Sequence, residues 1–181
     1  MPTAPAGLIS LPEKYLGDSL AACATFQTLV DAADATEALE SIHFAGLPPP
    51  ANGDTYSLAE FTEYCPYAVI WTDYEGGFSM HAVARSDGVL QYVESGRLKI
   101  EIVRQIPAAI ANDRAEVEVT LRNIVGAICE ELAAQSGVAA AFEFMELEAT
   151  GPYRFKPDRT PTEGDGQGYE LTLSYDPRGV Q

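Results

Sequence analysis

The sequence predicts an α+β fold: a mostly antiparallel sheet with N-terminal helices and one long helix, residues 113–136, packed on one face. Three observations predict it. Val117, Leu121, Ile124, Ile128 and Leu132 recur at steps of four, three, four and four, the spacing of one helix face. Arg97 to Gln105, RLKIEIVRQ, alternate instead, with Leu98, Ile100 and Ile102 against Arg97, Lys99, Glu101 and Val103. That period of two marks a strand with one wet face, as antiparallel sheets allow. Strand runs interrupted by a single long helix then suggest segregated layers rather than regular βα alternation. The expected organisation is an arm over residues 1–17, one domain over 18–176 and a polar tail over 177–181.

Taken in order, Met1 to Pro12 carry three prolines, which remove amide donors and favour an irregular arm. Asp18 to Ala33 read as a first helix, capped by Asp18 or Ser19, with an alanine-rich face that admits close packing. Thr36 to Phe44 read as a short second helix, with His43 near its end, where a histidine suits the negative pole of the helix dipole. Gly46 to Thr55 contain three consecutive prolines and form a stiff connection. Ser57–Leu58–Ala59–Glu60 has the capping-box pattern for a short helix that ends before Pro66.

Strands follow at Tyr67 to Asp73 and Phe78 to Ala84, separated by the Glu75–Gly76–Gly77 turn. Val89 to Val93 is a strand or part of a long hairpin, punctuated by Gly96, and the alternating segment 97–105 ends at Pro107. The long helix begins at the Asp113 cap, with Glu116 three residues on, and Gly137 is a natural stop. Burying its five aliphatic side chains would contribute about 8–15 kcal/mol gross. Phe142 to Ala149 and Tyr169 to Tyr175 close the sheet. The Gly-, Pro- and charge-rich stretch 151–168 between them reads as an extended loop at the tip of a projecting hairpin.

Composition excludes several functions. The chain has 27 acidic and 11 basic residues, a formal net charge of −16. This argues against a surface that grips nucleic acid by neutralising phosphates, which needs clustered Lys and Arg. The acidity serves solubility, or it repels an anion, or it docks on a basic partner. Cys23, Cys65 and Cys129 are widely spaced with no CxxC pair, which argues against a zinc site or disulfide framework. Cys23 lies among small apolar residues and reads as core. No basic-then-apolar leader and no membrane-length apolar run is present, so a soluble cytosolic product is expected.

No catalytic motif emerges. A nucleophile needs a base and an orienting group; no Cys or His lies in such a local signature, and a spatial pairing such as Cys65 with His81 is left open. Gly164, Gly166 and Gly168 mimic a phosphate loop, but they precede a strand rather than the helix N-terminus that would hold the anion. Asp158, Glu163 and Asp165 lack the spacing of a calcium loop and read as solvated. No catalytic, metal or cofactor residue is expected.

The segments RLKIEIVRQIP, DRAEVEVTLRNIVGAICEELAAQSG, FEFMELEA and YELTLSY, in that order, resemble the tail terminator family of long-tailed bacteriophages. The resemblance spans roughly Asp18 to Tyr175. It lies in the order of parts, which other phage neck and connector proteins share. It implies a virion protein that is assembled in the host cytoplasm and forms a ring, hexameric in the family. The ring caps the tail tube, stops its polymerisation and meets the neck. The implied partners are copies of this chain, the tail tube protein and a neck or connector protein, with no membrane. DNA would cross the lumen without specific binding, and an acidic wall would keep phosphate from sticking. Tyr153, Arg154 and Phe155, two aromatics beside an arginine, are the expected interface residues. The other readings are a different connector or neck protein, or a small partner-binding module; an enzyme ranks last.

Overall fold

The computed structural model describes residues 11–48, 63–75, 79–84, 88, 90–135, 142–154 and 164–177. The first described element is α1, Leu11–Ala21, which begins earlier than the sequence suggests. Residues 11–17, expected in the arm, are therefore helical. Pro12 falls in the first turn, where its missing N–H would have no helical acceptor, and Glu13 follows at the positive end of the dipole. The predicted helix 18–33 is broken at Ala22–Cys23, and α2 covers Ala24–Leu29. Cys23 sits at the α2 N-cap but makes no side-chain cap bond. The cap comes from another helix instead: Glu131 accepts from the Thr25 amide at 3.2 Å and from the Thr25 hydroxyl.

The predicted second helix is only one turn, α3, Ala35–Ala38. Asp34 caps it, accepting from the Thr36 and Glu37 amides at 2.8 and 3.0 Å. A 3-10 turn over Leu39–Ser41 leads into β1, Ile42–Phe44, so His43 lies in a strand and not at a helix end. The remaining strands are β2 (Tyr67–Thr72), β3 (Ser79–Ala84), β4 (Leu90–Gln105), β5 (Phe142–Arg154) and β6 (Gly166–Pro177). The long helix, α4, is Arg114–Gln135, and Asp113 caps it by accepting from the Glu116 amide at 3.0 Å. Gly137 lies outside the described residues, as does most of the predicted helix before Pro66.

The sheet has the order β1-β2-β4-β6-β5, with β3 paired to β4 off that path. Among the described strands only the β1–β2 pairing is parallel. Register places Ala68, Ile102 and Tyr169 in one row, Ile70, Ile100 and Leu171 in the next, and Thr72, Leu98 and Leu173 in a third. These rows face α1, α2 and α4 and join Leu16, Leu20, Phe26, Leu121 and Ile128 in the main core. The helices thus cover one face, as expected. Gly17 lets α1 lie directly on β1, since a Cβ there would stand 2.7 Å from Phe44 Cζ. Buried in the same interface, Glu13 accepts from the Thr72 hydroxyl at 2.7 Å.

The opposite face is mixed. Tyr67, Val69 and Val103 form a second small apolar cluster beneath Leu47, Tyr64, Cys65 and Trp71. Val103 is fully buried there, although its position on the charged side of the alternation suggested water. Further across, Lys99 pairs with Glu170 at 3.1 Å and lies 3.9 Å from Asp73.

Two differences matter for function. The expected loop 151–168 is shorter: Gly151 to Arg154 belong to β5 and Gly166 to Gly168 to β6, because the antiparallel pairing resumes after a register shift between Thr150 and Tyr153. In addition, β4 runs unbroken through Gly96. Its first half pairs with β3 in six steps, from Ser79↔Ser95 to Ala84↔Leu90. Strand β6 pairs with β4 only from Gly96 onward. Among the described residues, β3 and the start of β4 therefore form a two-stranded ribbon of about 20 Å beyond the five-stranded body.

Candidate functional site

The residues expected at an interface divide. Tyr153 and Arg154 end β5, opposite Gly168 and Gln167, and Phe155 lies outside the described residues. Asp158 and Glu163 are likewise outside. Gly164 and Asp165 are tied to the end of β4: the Gly164 amide donates to Ile106 O at 3.1 Å, and the Ile106 amide to Asp165 O at 2.9 Å.

The open nucleophile–base pairing is not formed. Cys65 precedes β2 near the Tyr67↔Val103 end of the sheet, whereas His81 pairs with Val93 on the ribbon. Ten residues of β4 separate these rungs, about 33 Å. Burial pushes the Cys65 thiol up to about 12, away from the thiolate a nucleophile needs. Cys23 is also raised to about 12, first by burial and then by the Glu131 charge, and it donates to Ser19 O at 3.3 Å. It belongs to the core, as expected. His43 packs edge-on against Tyr64 and Tyr67 at 5.7 and 6.1 Å, and burial lowers its pKa. No cluster of three or more His, Cys, Asp or Glu suited to a metal occurs among the described residues. None of their helices is long and apolar enough to cross a membrane.

Sequence reasoning missed Arg104. The alternation that turns Leu98, Ile100 and Ile102 toward the helices turns Arg104 the same way, and that parity was the available signal. Arg104 is only 6% exposed. Its Nε donates to Gln167 Oε1 at 3.1 Å, and Gln167 Nε2 in turn donates to Val117 O in the first turn of α4 at 2.9 Å. Gln167 thus uses both ends of its amide to tie β4 and β6 to the helix. Among the described residues the guanidinium has no carboxylate partner and its Nη2 has no hydrogen bond, and burial lowers its pKa. Arg104 forms part of the wall of a cleft of about 470 Å³ between α2, α4 and the strand ends, with Thr25, Leu29, Cys65, Pro66 and Ile124. This volume falls in the range of small-ligand sites.

No protein-family model matches the chain. No curated protein matches it either. Among solved structures, the chain is similar to one from the "Virion of native gene transfer agent (GTA) particle", with 12% identity and a TM-score of 0.41. The likeness covers 89% of this chain and 90% of that one. At this identity and score it bears on neither function nor partners.

Proposed function

We propose that this chain is a structural virion protein of the tail terminator type, which assembles into a ring, hexameric as in that family, at the end of a tail tube. The β3–β4 ribbon carries the reading. A two-stranded ribbon is marginal in water by itself, and this one lies beyond the described body of the sheet. A contact with a neighbouring copy or with the tube protein would stabilise it. Tyr153 and Arg154, at the end of β5, and Phe155 after them in sequence add to such contacts. The net charge of −16 suits a lumen that DNA crosses without adhering.

Mass measured by light scattering across concentration, followed by imaging of the oligomer, tests this. A closed ring with an acidic lumen is the expected result. A protein that stays monomeric and also fails to bind purified tail tubes overturns the proposal, and a basic lumen overturns the account of the charge. The Arg104 cleft favours one second reading, a module that binds a partner or ligand without forming a ring.

A further inference from the structure

We propose that the cleft walled by Arg104 is a carboxylate-binding site. Three observations converge on it. Arg104 is buried in a chain with a large acidic excess, yet its one described partner is the neutral amide of Gln167. Its Nη2 is the only buried side-chain nitrogen or oxygen left without a hydrogen bond among the described residues. Arg104 also lines an open cleft rather than lying wholly within packed core.

A buried ion left uncompensated costs several kcal/mol, and a carboxylate is the group whose two oxygens match the arginine fork. Nε is taken by Gln167, so a bound carboxylate engages the edge made by the two terminal nitrogens. Leu29, Pro66 and Ile124 supply an apolar wall that strengthens the contact once a carboxylate has displaced the water of the cleft. The threonines on α2 do not compete for the anion. The Thr28 hydroxyl donates to Ala24 O at 2.9 Å, and the Thr25 hydroxyl donates to Glu131. Glu131 accepts from the Thr25 amide and hydroxyl. The carboxylate comes either from a free organic acid or from an acidic side chain of a second copy of this chain. The second source rests on the ring reading.

The test uses the whole chain and two probes, glutarate and N-acetylglutamate amide, against chloride at matched ionic strength. Thermal unfolding and the arginine Nε–H resonance are followed for wild type, Arg104→Met and Arg104→Lys. Expected for wild type are a saturable rise of Tm by several degrees and a shift of that resonance, both with carboxylate and neither with chloride. Arg104→Met abolishes the response. Arg104→Lys keeps the charge, loses the fork and responds weakly. Should Arg104→Met fail to fold, the wild-type titration and Arg104→Lys still decide.

Light scattering separates the sources. An acidic side chain of a second copy predicts that glutarate competes with self-association, while a free acid predicts one-to-one binding with association unchanged. Equal responses to carboxylate and chloride overturn the proposal, as does an Arg104→Met protein that keeps the full wild-type response. Rings that form regardless of Arg104 with no carboxylate effect sink this inference alone. A strict monomer that binds glutarate and ignores tail tubes sinks the ring reading alone.

Discussion

His43 shows how one residue links packing to pH. It pairs with Val69 across the parallel β1–β2 contact and puts its ring edge-on to Tyr64 and Tyr67. Burial disfavours the imidazolium, so the folded pKa lies below the ordinary value of 6.5. The sign follows directly. Below pH 6.5 the unfolded chain takes up a proton that the folded chain resists. The contribution to stability is therefore complete above that pH and is lost as pH falls toward the folded value. Urea midpoints measured from pH 7.5 down should fall faster for wild type than for His43→Phe, which keeps the ring contacts without titrating. The difference in slope should not exceed about 1.4 kcal/mol per pH unit. Parallel profiles for the two proteins would show that this imidazole is as easily protonated folded as unfolded. No sequence pattern announces the burial of His43. Its strand has three residues and exists through pairing with β2, about 25 positions further on. Arg104 was legible in principle, because a strict parity of two places it with Ile100 and Ile102. The lack of a carboxylate partner among the described residues is a property of the assembled core and has no sequence signature.

At the scale of elements, α4 was legible because its apolar period and its burial coincide. Val117, Leu121, Val125, Ile128 and Leu132 are buried, while Val119, on the far side, is 42% exposed. Ile124 belongs to the predicted stripe but lies on its margin, against the cleft. This graded burial predicts graded costs. Leu121→Ala should lower stability by about 3–5 kcal/mol, because its cavity opens in the closed core. Ile124→Ala should cost clearly less, about 1–2 kcal/mol, since water already reaches that side. Val119→Ala should fall within about 0.5 kcal/mol of wild type. Urea unfolding of the three variants checks the order, and equal losses at Leu121 and Val119 would mean that the helix is turned differently on the sheet. The elements that escaped sequence reasoning share a physical cause: each is decided by a distant contact. The break between α1 and α2 is stabilised by Glu131, more than a hundred residues away. The persistence of β5 to Arg154 depends on β6, and the continuity of β4 past Gly96 depends on β3. Local propensity cannot report pairings that the tertiary fold imposes.

For the whole molecule, charge and shape pull against each other. Copies of a chain with net charge −16 repel, so any ring they form has to overcome that repulsion with apolar or well-paired contacts. The ribbon and the Arg104 cleft offer one contact of each kind, and salt affects them differently. Screening shortens the reach of the repulsion from about 10 Å at 0.1 M to about 3 Å at 1 M. A ring held by ribbon packing should therefore form at lower protein concentration as sodium chloride is raised, with little change in the fold of the subunit. Replacing residues 80–94 by a tight turn should abolish that association. The body should survive, since the pairings of β4 with β2 and β6 begin only at Leu98 and Gly96. Light scattering over a salt series, with circular dichroism on the shortened protein, separates the possibilities. Association that weakens with salt would assign the contact to exposed ion pairs between copies. A shortened protein that still assembles would remove the ribbon from the interface, leaving β1 and β5 at the sheet edges as the surfaces on which a ring would have to close.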